Sequence, residues 1–295
     1  MTTNADYSEF GRKILFEMND LRVVHISERH NKQVLATVLN GLRLSIARGC
    51  KLAILGCSGS GKSTLLSILG GLRTSRSCVA ISGSLKFFDR DGGEHNILGS
   101  AHNQDQYRRK HLGFVLPGNS LLPGFTCIQN LCLPLLSLGF NRAESHDKVR
   151  TLVNKYDSVY RSIFGLRQET YEPLYEHLNK LPDSVSSGQR QRFTVLRSIV
   201  SDADVVLADE PFSNLDPLNH DAMLELLSWW QLQSPLLRTV ILVSHDWARA
   251  LSWADYVAIF HEGRLVGEKL QAASSISLTD IETMLVNKHR NEVES

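Results

Sequence analysis

Gly56-Cys57-Ser58-Gly59-Ser60-Gly61-Lys62-Ser63-Thr64 brings glycines, a lysine and adjacent hydroxyls together in one short stretch. This spacing grips a chain of phosphates. Glycines let the backbone curl until successive N–H groups point inward at phosphate oxygens, and a helix starting behind them adds the positive end of its dipole. Lys62 then offers a mobile positive charge to the outer phosphates, and Ser63 a hydroxyl to Mg²⁺. The apolar run Leu52-Ala53-Ile54-Leu55 before the loop reads as a strand, and Leu65-Leu66-Ser67-Ile68-Leu69 after it as a helix. The chemistry implied is nucleoside triphosphate binding.

A second group of residues lies more than a hundred positions downstream. Val185-Ser186-Ser187-Gly188-Gln189-Arg190-Gln191-Arg192 precedes an apolar strand, Val205-Val206-Leu207-Ala208, that ends in Asp209-Glu210-Pro211 and then Ser213-Asn214-Leu215-Asp216. A further strand, Thr239-Val240-Ile241-Leu242-Val243, ends in Ser244-His245-Asp246. Ser186 is a good N-cap for a helix beginning near Gly188, which would leave a hydroxyl and free N–H groups as an anion site.

Taken in order, these motifs resemble the ATPase subunit of an ATP-binding cassette (ABC) transporter, from about Leu21 to about Gly267. The family signature L-S-G-G-Q stands here as V-S-S-G-Q. A finer resemblance, to the lipoprotein-release and macrolide-export branch, rests on Leu69-Gly70-Gly71-Leu72, Leu121-Leu122-Pro123-Gly124-Phe125-Thr126, Leu133-Pro134-Leu135-Leu136 and Ala208-Asp209-Glu210-Pro211.

The resemblance implies ATP and Mg²⁺ as cofactors, with Gly56 to Thr64 on the phosphates and Ser63 and Asp209 on the metal. Glu210 is then the general base, a role worth about 10²- to 10⁴-fold in rate. His245 would hold the attacking water and Glu210 in register, with Lys62 completing the catalytic group. Ser186, Gly188 and Gln189 would face the γ-phosphate held by a second ATPase subunit, identical or related, with Asp216 at the shared seam. A separate transmembrane permease would be the driven partner, which places the chain on the cytoplasmic face of the membrane.

Three residues depart from the pattern. His30, or His25 with a shifted alignment, stands where a tyrosine usually stacks on adenine. Ser187 replaces the first signature glycine. Pro117 follows Gly113-Phe114-Val115-Leu116 where a glutamine should sense Mg²⁺ and the attacking water. Proline has neither an N–H nor a polar side chain to offer. That keeps a catalytically weak, ATP-gated cassette in view beside a transport ATPase, as well as a non-transport ABC ATPase acting on DNA or ribosomes.

Charge argues against nucleic acid as partner. Lys plus Arg number 32 and Asp plus Glu 31, whereas nucleic-acid binders carry a basic excess. Cys50, Cys57, Cys78, Cys127 and Cys132 contain no C-x-x-C pair and read as reduced thiols. Met1 to Arg12 lacks the apolar core of a signal peptide. Leu112 to Phe140 is uncharged, but Pro117, Pro123 and Pro134 interrupt it, so it reads as a strand, a loop and a short buried helix.

The elements that must position these residues make an α/β fold: a P-loop, RecA-like ABC ATPase core with an antiparallel β subdomain and an α-helical subdomain. Early strands at Leu21–Ser27 and Leu42–Ala47, with Val79–Phe88, suggest the antiparallel sheet. Residues 1–20 read as a tail and 21–116 as the first part of the core with that sheet. Residues 117–197 read as the helical subdomain, 198–267 as the second part of the core and 268–295 as a C-terminal tail. Asp89 to Tyr107 reads as an exposed connection, and 167–182 as an extra surface element.

Overall fold

The computed structural model describes residues 12–29, 32–72, 78–117, 120–165, 171–211, 217–267 and 269–293. The chain opens on two long strands, β1 (Ile14–Arg29) and β2 (Lys32–Ala47), then runs β3 (Lys51–Gly56), α1 (Lys62–Leu69), β4 (Cys78–Phe88), β5 (Glu94–Asn96), α2 (Ala101–His111) and β6 (Leu112–Val115). Three helices follow: α3 (Cys127–Ser137), α4 (Arg142–Phe164) and α5 (Ser187–Ile199). The remainder alternates β7 (Val205–Asp209), α6 (Pro217–Leu232), β8 (Thr239–Val243), α7 (Trp247–Trp253), β9 (Tyr256–His261), β10 (Arg264–Leu265), β11 (Gln271–Ala272) and α8 (Leu278–Val293).

Two sheets result. One is antiparallel, in the order β2-β1-β4-β5, and the other runs β10-β9-β3-β8-β7-β6, with β11 also paired to β9. The central strands β9, β3, β8, β7 and β6 are parallel to one another. Their C-terminal ends therefore share one edge.

Side chains alternate across a strand, and the parallel sheet is buried on both faces. Leu52 and Ile54 of β3 and Val205 and Leu207 of β7 join a core shared with α1 and the antiparallel sheet. Their neighbours Val206 and Ala208 face the other way, into a core built with α3, α4, α5 and α6. Ala53 and Leu55 join a third cluster with Ala250 of α7 and Ile281 and Leu285 of α8.

Several boundaries differ from the sequence expectation. β1 begins at Ile14, and Ile14, Leu15, Phe16 and Met18 are buried, so the expected N-terminal tail already contributes core residues. The expected exposed connection contains β5 and the greater part of α2. Its helix is started by the Ser100 hydroxyl and held by buried Tyr107, whose hydroxyl donates to the Leu69 carbonyl at 2.7 Å. The C-terminal tail becomes α8, because Ile281 and Leu285 bury one face of it. In the stretch expected to be an extra surface element, Tyr171, Leu174 and Leu178 are buried.

Candidate active site

β3 delivers the glycine-rich loop to the C-terminal edge of the parallel sheet, between β9 and β8. Backbone approach there is too close for side chains. A Cβ on Gly56, at φ +144°, would lie 2.1 Å from the Phe260 carbonyl oxygen, and one on Gly61, at φ +98°, 2.7 Å from that of Val38. Only glycine fits such positions without displacement. Gly61 also caps α1, whose first N–H groups lack intrahelical partners and point at the loop.

Lys62 is only 5% exposed. Its Nζ donates to the carbonyls of Gly56 (2.9 Å) and Cys57 (2.8 Å), which curls the side chain over the loop. Burial lowers the ammonium's pKa, and the nearby charges of Glu210, Cys57 and Asp209 only partly oppose it. Ser63 Oγ donates to Asp209 Oδ1 at 2.9 Å. Burial raises the Asp209 carboxyl above its usual range; the Ser63 hydrogen bond acts in the opposite sense. Ser60 Oγ is buried without a partner.

Asp209 ends β7, and the chain turns sharply at the next residue. Glu210 holds φ at +42°, in the left-handed region a non-glycine residue enters at a cost. Its N–H donates to Val243 O of β8 at 3.0 Å. His245 follows β8, and its Nε2 lies 2.7 Å from Glu210 Oε1. A cavity of about 230 Å³ is lined by Ser58 to Thr64, Glu210, His245 and Val38. Residues from three strand ends thus converge on one concavity.

The V-S-S-G-Q segment lies elsewhere. Ser186 caps α5, which begins at Ser187, one residue before the expected start. Its hydroxyl accepts from the Gln189 N–H at 3.2 Å, while Gln189 Oε1 accepts from the Ser186 N–H at 3.0 Å. Ser186, Gly188 and Gln189 do not line the phosphate-loop cavity of their own chain. Asp216 and His30 fall outside the described residues, while His25 lies within β1, paired with Ala36, and is not among the residues lining the cavity. Pro117 is exposed just beyond β6.

Some contacts had no signal in the sequence. Gln189 Nε2 is held by Glu172 Oε2 and His177 Nε2, each at 3.2 Å, and Glu172 and His177 meet at 2.9 Å. Gln191 Nε2 donates to the Pro211 carbonyl, which ties α5 to the residue after Glu210. These pairs are brought together only by the fold. The run Gln189 to Arg192 marks the helix without naming the partners.

The phosphate-loop region matches the ABC transporter family model over residues 39–213. The lipoprotein-releasing system ATP-binding protein LolD of Treponema denticola is 35% identical over 71% of this chain and 80% of its own length. LolD of Legionella pneumophila strain Lens is 33% identical over 80% of this chain and 92% of its own. The macrolide export ATP-binding/permease protein MacB of Shewanella sp. strain ANA-3 is 32% identical over 82% of this chain but only 32% of its own length. In fold, the chain resembles a solved dimeric bacterial ABC transporter cassette, with a TM-score of 0.66 at 21% identity, covering 88% of this chain and 99% of that one.

Proposed function

The chain belongs to the ABC transporter family as one of its ATPase cassettes, and from that premise we propose that it dimerises on ATP and drives a separate membrane subunit. The convergence of Lys62, Ser63, Asp209, Glu210 and His245 on one cavity edge carries this reading. Among the described residues no helix is long and apolar enough to cross a membrane; in this reading the membrane step belongs to the permease subunit. The LolD relatives, named for a lipoprotein-releasing system, make a lipoprotein-handling permease the favoured partner.

Roles follow from position. The loop N–H groups and Lys62 bind the β- and γ-phosphates. Ser63 Oγ and Asp209 Oδ1, hard oxygen donors 2.9 Å apart, fit Mg²⁺. When bound, Mg²⁺ supplies neutralising charge to the phosphate oxygens. Glu210 accepts the proton of the attacking water, and His245 fixes the carboxylate's direction. Ser186, Gly188 and Gln189, absent from their own chain's cavity, would serve a partner's ATP, with Asp216 at the seam. The core parts 21–116 and 198–267 enclose the helical part 117–197, an arrangement supported by the pairing of β6 with β7 across that segment.

The decisive experiment is Glu210→Gln. It keeps the phosphate contacts and removes the base, so size-exclusion chromatography with ATP and Mg²⁺ should show a stable dimer while turnover falls by about 10²-fold or more. A monomeric variant with undiminished turnover would sink both the base assignment and the ATP-bridged dimer.

A further inference from the structure

At the opposite end of the parallel sheet from the glycine-rich loop, three side chains with metal-binding donors meet. Asp89 follows β4, His95 lies on β5 and His111 ends α2. One donor atom from each lies within 4.8 Å of the others. We propose that Asp89, His95 and His111 form a site for a divalent transition metal, with Zn²⁺ the best fit.

Two histidines and one carboxylate are a donor set suited to Zn²⁺ and its neighbours, with a fourth position left for water. A tetrahedron with bonds near 2.1 Å has ligand–ligand edges of about 3.4 Å. The three donor atoms, all within 4.8 Å of one another, bracket that edge length. Asp89 Oδ2 and His95 Nε2 are already 2.8 Å apart.

The surroundings orient the ligands as a metal site requires. His111 Nδ1 lies 2.7 Å from Asp204 Oδ2, and both side chains are almost fully buried. A carboxylate on one ring nitrogen fixes the tautomer and leaves Nε2 as a lone-pair donor, the usual outer support of a zinc-bound histidine. Arg48 and Arg90 both pair with Asp204 and offset its charge, so that carboxylate is committed to support. Asp89 is held too: its Oδ1 accepts the N–H groups of Asp91 (3.0 Å) and Gly93 (2.7 Å), which frees Oδ2 to face the histidines.

Access and shielding also fit. The His95 side chain is 36% exposed, which gives an entry path, while Asp89 and His111 are 8% and 4% exposed. Phe87 packs against both imidazoles, at 5.7 and 5.1 Å between ring centres, and forms an apolar wall. Because Asp89 directly follows β4 and His95 lies on β5, both of the antiparallel sheet, while His111 adjoins β6, an ion here would staple the two sheets together. Its role is structural and independent of ATP.

The test uses the full-length, untagged, nucleotide-free protein. Titration with Co²⁺ should develop a visible d–d absorption band that saturates at one equivalent, and excess Zn²⁺ should bleach it. Zn²⁺ in excess should raise Tm by about 3 °C or more relative to protein in EDTA. His95→Ala and Asp89→Asn should lose both responses, whereas His102→Ala, which removes an exposed histidine of α2, should keep them. Should His95→Ala fold poorly, which its EDTA melting curve would reveal, His95→Gln replaces it. Absence of the Co²⁺ band, or a Zn²⁺ response that survives in both ligand variants, overturns the proposal.

Discussion

The His245 imidazole and the Glu210 carboxylate meet at 2.7 Å, although they stand at the ends of two different strands. The contact is made from the side of β8, and the Glu210 N–H is fixed to Val243 O of the same strand. One strand therefore anchors both the backbone and the carboxylate of Glu210.

If His245 acts by directing that carboxylate, His245→Ala should lower kcat by about 10²-fold while leaving ATP affinity within about threefold of the parent. Steady-state hydrolysis, paired with titration of a fluorescent ATP analogue, separates the two effects. Equal losses in both would make His245 a binding residue instead.

Lys62→Ala removes a charge-assisted donor from the loop. We expect nucleotide affinity to fall about 10- to 100-fold, with Tm lowered by no more than about 4 °C as the Gly56 and Cys57 carbonyls lose their donor. Unchanged affinity in the same titration would remove the loop from the binding site.

Asp209 carries a built-in electrostatic cost. A carboxyl whose folded-state pKa is raised binds its proton more tightly when folded, so its penalty is absent in acid and accrues as pH rises through the raised value. Asp209→Asn should therefore raise the nucleotide-free Tm at pH 7 by about 2 °C, with the gain shrinking towards pH 4. It should also abolish the further stabilisation that Mg²⁺ adds to ATP. Differential scanning fluorimetry across pH, with and without Mg²⁺, reads both.

If Pro117 stands in the place of the family's sensing glutamine, its lack of a polar side chain should limit turnover. Pro117→Gln should raise the basal hydrolysis of the isolated chain on the order of tenfold. No change in rate, together with a loss in Asn119→Ala, which removes the next amide side chain along the sequence, would move the sensing role two residues along the chain.

The strand ends that bring the loop, Asp209, Glu210 and His245 together were legible as apolar runs, whereas the roles given to Glu210 and His245 drew on the family resemblance. The antiparallel sheet was legible in outline. Its first strand was placed too late because the alternation Phe16-Glu17-Met18-Asn19 is weak evidence until the facing strand shows which side is buried. α8 was read as part of a C-terminal tail, since its apolar residues form no broad face: Ile281 and Leu285 are buried with Met284 packed beside them, while Leu278 and Val286 are exposed. His111 with Asp204, and Gln189 with Glu172 and His177, were not legible at all. Such pairs are joined across the fold, and nothing in spacing along the chain announces them.

β7 has acidic groups at both ends: Asp204, clasped by Arg48, Arg90 and His111 just before it, and Asp209, facing Ser63 at its last position. At about 3.3 Å per residue the two are separated by about 16 Å. The strand works as a ruler of fixed length and handedness. Losing or gaining one residue would do more than shift that distance, because it would also turn one acidic group towards the opposite face relative to the other. A point substitution in β7 can be absorbed by repacking, whereas a single-codon deletion there would uncouple the antiparallel sheet's anchor from the phosphate end in one step.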